Sequence, residues 1–226
     1  MTTPAPRVSI IVPVLDEGEV LAPFLTGFAP WRAAGDELIV VDGGSVDDSV
    51  AVATPLCDRL VRAPRGRAAQ MNAGAAVARG ALLWFVHADS GVDVTLRPAL
   101  VAAGGWGRFD VCIDDPAWLF RIIETLMNLR SRLTGITTGD QGIFVERALF
   151  DAVGGYPPLA LMEDIELSRA LRRHASPRCL EQHITTSARR WRRHGILRTV
   201  LLMWSLRLAW FCGVPAARLA RWYGYR

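Results

Sequence analysis

The sequence contains no lysine, so all 26 of its basic residues are arginine. It also has no acidic residue from Gln182 onward, so all 22 aspartates and glutamates lie before that point. The segment from Gln182 carries nine arginines, at positions 189, 190, 192, 193, 198, 207, 218, 221 and 226. An acidic body with a basic end indicates a phosphate-bearing partner, a membrane surface or both.

Cysteine pairs, long apolar runs and a leader are also lacking. The four cysteines form no CxxC pair and no zinc-binding spacing, which is typical of reduced cytoplasmic thiols. No uncharged apolar run approaches the ~18 residues of a membrane span. Residues 1–6 resemble no signal peptide, since they include neither a basic nor an apolar segment. We therefore expect a cytoplasmic protein that contacts a membrane, if at all, only peripherally at its inner face.

The first ninety residues alternate between strand and helix patterns. Strands are predicted at 8–14, 37–41, 59–61 and 82–86, and helices at 17–31, 47–53 and 67–79. Such alternation favours an α/β fold with a Rossmann-like, mostly parallel sheet flanked by helices. An apolar content of 51% and a mean hydropathy of +0.21 allow one large core, either alone or with an appendage.

The second half predicts a strand at 106–113 and a long helix at 116–133. Asp115 and Pro116 form a typical helix start. Arg121, Glu124, Asn128 and Arg132 fall on one face of this helix, and we expect the other face to pack. A short strand at 142–145 and helices at 148–153 and 163–174 follow.

Residues 196–211 predict a helix without a clean polar face. Its two charged residues, Arg198 and Arg207, are nine positions apart, which is about 180° around a helix. Protein, a partner or lipid must therefore cover it. Packing on the domain is the first interpretation, and association with anionic lipid is the second.

The predicted strand at 82–86 is apolar throughout, as in strands buried on both faces, and it leads into His87 and Asp89. Ligands of open α/β sheets bind at the carboxyl ends of strands. An imidazole and a carboxylate there suit Mg²⁺ or Mn²⁺, if substrate phosphates complete the coordination. The alternative is that Asp89 only caps the turn that Ser90 and Gly91 complete.

Further acidic residues fall at element ends that a parallel sheet would bring to the same edge. Each has a plainer explanation, as a helix-start charge or as part of a tight turn. Together they would need a cation or a ligand rich in hydrogen-bond donors. These residues are Asp16, Glu17, Asp42, Glu163 and Asp164.

Six motifs in order resemble the family 2 glycosyltransferases over about residues 7–195. Four of them resemble the nucleotide-sugar half: Pro-Val-Leu-Asp-Glu (13–17), Val-Asp-Gly-Gly-Ser-Val-Asp-Asp-Ser (41–49), Gly-Arg-Ala-Ala-Gln-Met-Asn-Ala-Gly-Ala (66–75) and His-Ala-Asp-Ser (87–90). Gly-Asp-Gln-Gly-Ile-Phe (139–144) and Met-Glu-Asp-Ile-Glu-Leu (162–167) resemble the acceptor half. The subgroup with the greatest resemblance holds small bacterial enzymes associated with arsenosugar or other unusual metabolite biosynthesis.

The resemblance implies a GT-A fold and transfer of a sugar, with inversion, from a nucleotide-diphosphate-sugar to a hydroxyl group. It implies a glycosyltransferase domain at 1–194, with a nucleotide-binding half at about 7–90 and an acceptor half at 91–194. Residues 195–226 would form a basic, apolar helical tail. The acceptor would be a small molecule or a lipid, and no nucleic acid is expected as a partner.

The resemblance also assigns roles to residues. Asp164, with Glu163 beside it, matches the catalytic base, and a divalent metal (Mn²⁺ or Mg²⁺) would be held by Asp89 and His87. Donor-binding positions are Pro13, Asp16, Glu17, Asp42, Gly43, Arg67, Asn72, His87, Ala88 and Asp89. The acceptor or phosphate region includes Gly139, Asp140, Gln141, Arg189, Arg190 and Trp191, although the arginines fit a solvated basic face equally well.

The chain departs from the family pattern at two positions. His87 stands at the first acid of the metal motif, and Asp16 stands where asparagine is common. Two other classes of protein remain as alternatives. A nucleotidyltransferase would need a glycine-rich phosphate loop after the first strand, and a non-catalytic membrane-surface protein would bind no donor.

Overall fold

The computed structural model describes residues 7–224, and the strands of that range form one eight-stranded sheet in the order β3-β2-β1-β4-β7-β6-β8-β5. The strands are β1 (Val8–Val14), β2 (Glu37–Asp42), β3 (Arg59–Arg62), β4 (Leu82–Phe85), β5 (Ser90–Gly91), β6 (Trp106–Asp114), β7 (Phe144–Glu146) and β8 (Arg178–Ser187). β1 to β4 are all parallel to one another. β7 is antiparallel to both β4 and β6, whereas β8 is parallel to β6.

Helices flank both faces of this sheet. They are α1 (Gly18–Thr26), α2 (Ala29–Ala33), α3 (Ser49–Ala53), α4 (Arg67–Val77), α5 (Arg97–Ala103), α6 (Trp118–Thr134), α7 (Arg147–Ala152), α8 (Glu163–Arg172), α9 (Arg189–His194), α10 (Ile196–Phe211) and α11 (Ala216–Tyr223). One core layer is built around Trp31 and Trp84, and the other around Phe85 and Phe150. The predicted α/β class and the helical extension at the carboxyl end are therefore confirmed.

Two predictions in this part of the fold were wrong. The single helix predicted at 17–31 is two helices, which separate at Gly27 and Phe28. Pro30 has no N–H to donate to the carbonyl of Thr26, and proline is favoured in the first turn of a new helix. β8, ten residues long, was not predicted. Its residues are mostly exposed or half-buried, so its sequence lacks the apolar run of a central strand.

Helix α6 packs with its polar face inward, opposite to the expectation. β6 pairs with β7 only at Trp106 and Gly107, which leaves one edge of its later residues without a strand partner. Side chains of α6 supply the missing hydrogen bonds. The Asn128 amide accepts from the Val111 N–H (2.9 Å) and donates to the Val111 carbonyl (3.1 Å), and Glu124 accepts from the backbone of Ile113. Buried backbone groups need such partners, and this requirement fixes which face of α6 turns inward.

The apolar face of α6 is consequently exposed. Its outward residues recur at spacings of three and four: Leu119, Ile122, Leu126, Leu129 and Leu133. The helix also begins at Trp118, two residues later than predicted, and Asp115 forms an ion pair with Arg192 of α9 (2.5 Å).

Helix α10 is half covered. Its inner residues Leu202, Leu206 and Trp210 pack with Ile165 of α8 and with α11, in line with the interpretation that it packs on the domain. Its outer residues are exposed, again at spacings of three and four: Leu197, Leu201, Trp204, Leu208 and Phe211. Among residues 7–224, no helix is both long enough and apolar enough to span a bilayer.

The inverted packing of α6 makes a testable prediction. Asn128→Ala should lower the free energy of unfolding by about 2 kcal/mol, because it leaves both backbone groups of Val111 without a partner. Leu126→Ser, two residues earlier and on the exposed face, should change it by less than about 0.5 kcal/mol. Urea unfolding of the two variants measures both values. A larger loss for Leu126→Ser would show that the apolar face is the one that packs.

Candidate active site

Asp16 joins the loop after β1 to the loop after β2. Its backbone lies in the left-handed region (φ +53°), which aspartate and asparagine tolerate better than most residues. Its carboxylate accepts from the Val46 N–H (2.8 Å), and its own N–H donates to the Ser45 hydroxyl (3.0 Å). The departure from asparagine at this position thus keeps the backbone geometry that the loop requires.

Asp42 is buried and closes the turn after β2. Its carboxylate oxygens accept from the N–H groups of Gly44 (3.1 Å) and Ser45 (3.0 Å). These are the contacts expected if Asp42 forms part of a tight turn. Gln70, which the sequence interpretation missed, sits beneath this turn. Its amide donates to the carbonyls of Val14 and Val41, both at 2.8 Å, and fastens the ends of β1 and β2 to α4.

The predicted donor residues do not all face the cleft. Pro13 lies buried within β1, in register with Val41 of β2. The amide of Asn72 donates to the Tyr156 carbonyl (2.8 Å) and accepts from the Tyr156 N–H (2.9 Å). Both polar atoms of this side chain hold the loop before α8, so they are not available to bind a nucleotide-sugar. Gly43 packs against Gln70 so closely that a Cβ there would lie 2.9 Å from the glutamine amide carbon.

His87 and Asp89 have different environments at the end of β4. Asp89 is exposed, and His87 and Ala88 are buried. The Nε2 atom of His87 abuts Gly139, where a Cβ would lie only 2.2 Å from it. Burial, followed by the charge of Arg67, lowers the pKa of His87 to about 3, so the imidazole is neutral.

A second group of carboxylates faces Asp89 across the cleft. Burial raises the pKa of Glu17. The Arg189 guanidinium, 3.9 Å from the Glu17 carboxylate, lowers this pKa, whereas the charge of Asp89 raises it further. Loss of solvation in the cleft likewise raises the pKa of Asp140, with further contributions from Asp89 and Asp164. Acidic residues of both halves of the chain therefore lie near enough to act on one another through their charges.

Asp164 and Glu163 begin α8 directly after Met162, whose backbone is left-handed (φ +71°). One carboxylate oxygen of Asp164 accepts from the Gly139 N–H (3.1 Å), which ties α8 to the loop that packs on His87. Glu163 is buried, and its burial, followed by the charge of Asp164, raises its pKa to about 7. The two adjacent acids thus differ in environment, Asp164 being the more accessible.

Arg67 is the cation that connects these groups. It begins α4, and its charge lowers the pKa values of His87, Asp140 and Glu163. This pattern places Arg67 between the donor and acceptor sides of the cleft.

Three other predicted residues serve the fold. Arg190 donates to the Tyr223 carbonyl (3.3 Å) and lies over the Tyr223 ring (3.7 Å). Trp191 packs edge-on against Phe120, and the amide of Gln141 donates to the Ser131 hydroxyl (3.0 Å). Among the arginines at 189, 190, 192 and 193, Arg189 lies near a cleft residue, because its guanidinium is 3.9 Å from the Glu17 carboxylate.

Comparison with known proteins identifies the family. Residues 9–120 match the sequence model described as glycosyl transferase family 2. A PGL/p-HBAD biosynthesis glycosyltransferase of Mycobacterium tuberculosis is 35% identical over 169 residues, which cover 67% of this chain and 64% of that protein. The chain belongs to glycosyl transferase family 2.

Other relatives of this family 2 chain agree. The uncharacterized glycosyltransferase YibD of Escherichia coli is 29% identical over 143 residues, or 59% of this chain and 42% of YibD. The chain thus spans less than two thirds of the length of these curated relatives.

Solved structures confirm the GT-A fold of this family 2 chain. The mannosyltransferase PcManGT of Pyrobaculum calidifontis, in complex with GDP-Man and Mn²⁺, matches with a TM-score of 0.60 at 20% identity, covering 80% of this chain and 56% of that one. The glucosyl-3-phosphoglycerate synthase of M. tuberculosis, in complex with Mg²⁺ and UDP, matches with a TM-score of 0.59 at 17% identity, covering 80% and 70%.

Within residues 7–224 of this family 2 chain, no three histidine, cysteine or acidic side chains are grouped closely enough to hold a metal ion by themselves. Asp89, exposed and unpaired with any residue in that range, fits a metal whose other ligands come from a bound diphosphate. His87 fits less well, because its Nε2 atom faces Gly139.

The raised pKa of Glu163 predicts a pH-dependent stability. In the folded protein this carboxyl holds its proton to about pH 7, so its favourable contribution is present at low pH and is lost as the pH rises from 4.5 toward 7. Glu163→Gln should therefore stabilise the protein at pH 8 by up to ~3 kcal/mol, and the gain should vanish near pH 4.

Chemical unfolding across this pH range measures the effect, and subtracting the wild-type curve cancels the opposite titration of His87. Glu19→Gln, at an exposed position of α1, is the control. A constant difference between Glu163→Gln and wild type at all pH values would contradict the assignment.

Proposed function

We propose that this chain transfers a sugar, with inversion, from a nucleotide-diphosphate-sugar to a hydroxyl group of an acceptor. The observation that carries the proposal is the convergence of Asp89, Asp140, Asp164 and Arg67 on one cleft at the carboxyl ends of β1, β2 and β4. The GDP-Man and UDP bound by two proteins of the same fold support a nucleotide-sugar donor. The split at residue 194 between this domain and a helical tail stays a prediction.

The residues of the cleft fit the roles of this reaction. Asp164 stands at the start of a helix, where the dipole favours its negative charge, and takes the proton of the attacking hydroxyl. The new bond forms between that oxygen and the anomeric carbon as the bond from this carbon to the diphosphate breaks. The electron pair of the broken bond leaves with the diphosphate, near Arg67. Glu163 is buried and therefore less accessible to an acceptor hydroxyl than Asp164, and it contributes to the shape of the site.

A divalent metal fits this arrangement, held by Asp89 and by the donor phosphates. When bound, such an ion supplies positive charge to the leaving diphosphate. We do not include His87 among its ligands, because this buried neutral side chain instead sets the position of the Gly139–Gln141 segment. The Mn²⁺ and Mg²⁺ ions bound by proteins of similar fold support this cofactor class.

The nucleotidyltransferase alternative fits poorly, because three successive backbone donors after β1 are already bonded to side chains. The N–H groups of residues 16, 17 and 18 donate to the side chains of Ser45 (3.0 Å), Ser49 (2.9 Å) and Asp47 (2.9 Å). A phosphate-binding loop directs such groups at its ligand. This loop instead positions Asp16 and Glu17 at the donor side of the cleft.

We further propose that the outer faces of α6 and α10 contact an anionic lipid surface. The two helices lie near each other, because Phe120 of α6 and Ile196 of α10 belong to one apolar cluster and the charge of Arg207 on α10 lowers the pKa of Arg130 on α6. Each helix presents five exposed apolar residues along one stripe. The segment from Gln182 adds nine arginines and no acid, so its charge complements anionic lipid and not a second copy of itself.

The donor proposal is tested by thermal shift with UDP-, GDP-, TDP- and ADP-sugars, with and without Mn²⁺. One donor should raise the melting temperature, because it binds the folded state alone. Asp89→Asn should abolish the part of the shift that needs Mn²⁺. Asp164→Asn should keep the shift but lower turnover by about 10²-fold or more.

Asp114→Asn is the matched control, since Asp114 is an exposed carboxylate at the end of β6. If no donor shifts the wild type, the chain is not a glycosyltransferase on its own, and the non-catalytic alternative gains support.

The lipid proposal predicts that the wild type sediments with vesicles of mixed phosphatidylcholine and phosphatidylglycerol, but weakly with phosphatidylcholine alone. Replacing Leu126 and Trp204 together by serine should release the protein from the mixed vesicles, because both are exposed on the stripes. Val46→Ser changes an exposed apolar residue elsewhere and should have no effect. A wild type that ignores vesicles but forms a dimer, which the double variant breaks, would assign the surface to a second copy.

A further inference from the structure

Two arginines meet beside the candidate base. Arg130 lies on α6 and Arg207 on α10, at the junction where these helices approach α8. Leu206 and Ala209, the neighbours of Arg207, pack in the same cluster as Met162 and Ile165, which flank Glu163 and Asp164. From the sequence, Arg207 was expected only as one of two charges on the helix at 196–211, and no role was predicted for Arg130.

Neither guanidinium is paired within residues 7–224. The Nε and Nη2 atoms of Arg130 are buried and have no hydrogen-bond partner in that range. Asp140 and Asp164 are near enough to act on both arginines through their charge, but they form no ion pair with either one in the part of the chain described. The charge of each group is thus only partly compensated.

Such a pair is unfavourable unless an anion occupies the space between the helices. Burial, followed by the charge of Arg207, lowers the pKa of Arg130 to about 10, and burial also lowers the pKa of Arg207. Arg130 therefore remains charged at neutral pH. Buried donors without partners cost free energy, and a second like charge nearby adds to that cost. Other half-buried arginines of this fold, such as Arg97 with Asp36 (2.6 Å), do have carboxylate partners.

We propose that Arg130 and Arg207 together bind an anionic group, a phosphate or a carboxylate, that the acceptor carries besides its reacting hydroxyl. This inference rests on the proposed glycosyl transfer and names the class of acceptor. Two guanidinium groups offer hydrogen bonds in the fork geometry that oxyanions accept. The anion would be held next to Asp164, so the hydroxyl of the same molecule would reach the base.

The position favours the acceptor over the donor diphosphate. Both arginines come from α6 and α10 in the second half of the chain, whereas the donor side is formed by the loops after β1, β2 and β4. The two helices that carry these arginines also carry the exposed apolar stripes. A free phosphate-bearing acceptor and a lipid headgroup therefore share this chemistry, and the experiment separates them.

The test uses the full chain and two probes, inorganic phosphate and phosphatidylglycerol-containing vesicles. Phosphate is titrated by thermal shift, with and without the nucleoside diphosphate of the active donor, so that the donor phosphate site is either filled or empty. Arg130→Gln and Arg207→Gln should each weaken binding of at least one probe about tenfold, since each removes a charged donor pair. Arg59→Gln, which changes an exposed arginine at the start of β3 and outside the basic segment, is the matched control and should bind as wild type.

The outcomes separate this inference from the proposed function. Loss of phosphate binding in both variants supports a soluble anionic acceptor, and loss of vesicle binding alone supports a lipid headgroup. Without ligand, both variants should melt at or above the wild-type temperature, because an unpaired charge has been removed; a fall of several degrees would overturn the inference in favour of a structural role. Unchanged binding of both probes, or an equal loss in Arg59→Gln, would also overturn it. The donor-induced shift should persist in all three variants, so its absence in wild type would count against the proposed function instead.

Discussion

The unpaired edge of β6 is the constraint on which the second half of this structure depends. Only its first two residues meet β7, and the backbone beyond them would be buried without hydrogen bonds if an apolar helix covered it. Asn128 and Glu124 of α6 provide those bonds, and Arg132 neutralises Asp110 from the same face (2.5 Å). Since unpaired buried backbone groups cost more than exposed leucines, the polar face turns inward and the apolar face outward.

On the donor side of the cleft, side-chain hydrogen bonds to the backbone again hold the structure, here within loops. The loops after β1 and β2 carry the predicted donor residues, and side chains fasten them to each other and to α4. Asp16 makes the first of these connections and Gln70 the second. Loops held in this way keep Glu17 at the cleft while its own carboxylate stays available.

Much of the first half could be predicted from the sequence, because parallel strands buried on both faces give continuous apolar runs. β1, β2 and β4 are of this kind, and their ends carried the acidic residues that the cleft brings together. The inverted α6 could not be predicted, since the amphipathic pattern of a helix does not tell which face is inside. That choice depends on the pairing of β6, which depends in turn on β8, a strand whose half-exposed residues carry little signal. Asn72 and Gln141 lie in motif positions, but their amides hold neighbouring backbone or side chains.

Two consequences of the packing of α6 and α10 meet next to the candidate base: half-buried cations and exposed apolar surface. Arg130 is half-buried on the flank of α6, about 200° around the helix from Asn128, and Arg207 is half-buried on α10. The inversion of α6 leaves its leucines outside, and α10 exposes a second apolar stripe of its own. An acceptor that presents an anionic group to the interior while its remaining part lies along an apolar surface would satisfy both consequences at once. A fully soluble, uncharged acceptor would leave the arginine pair without compensation and both stripes without a partner.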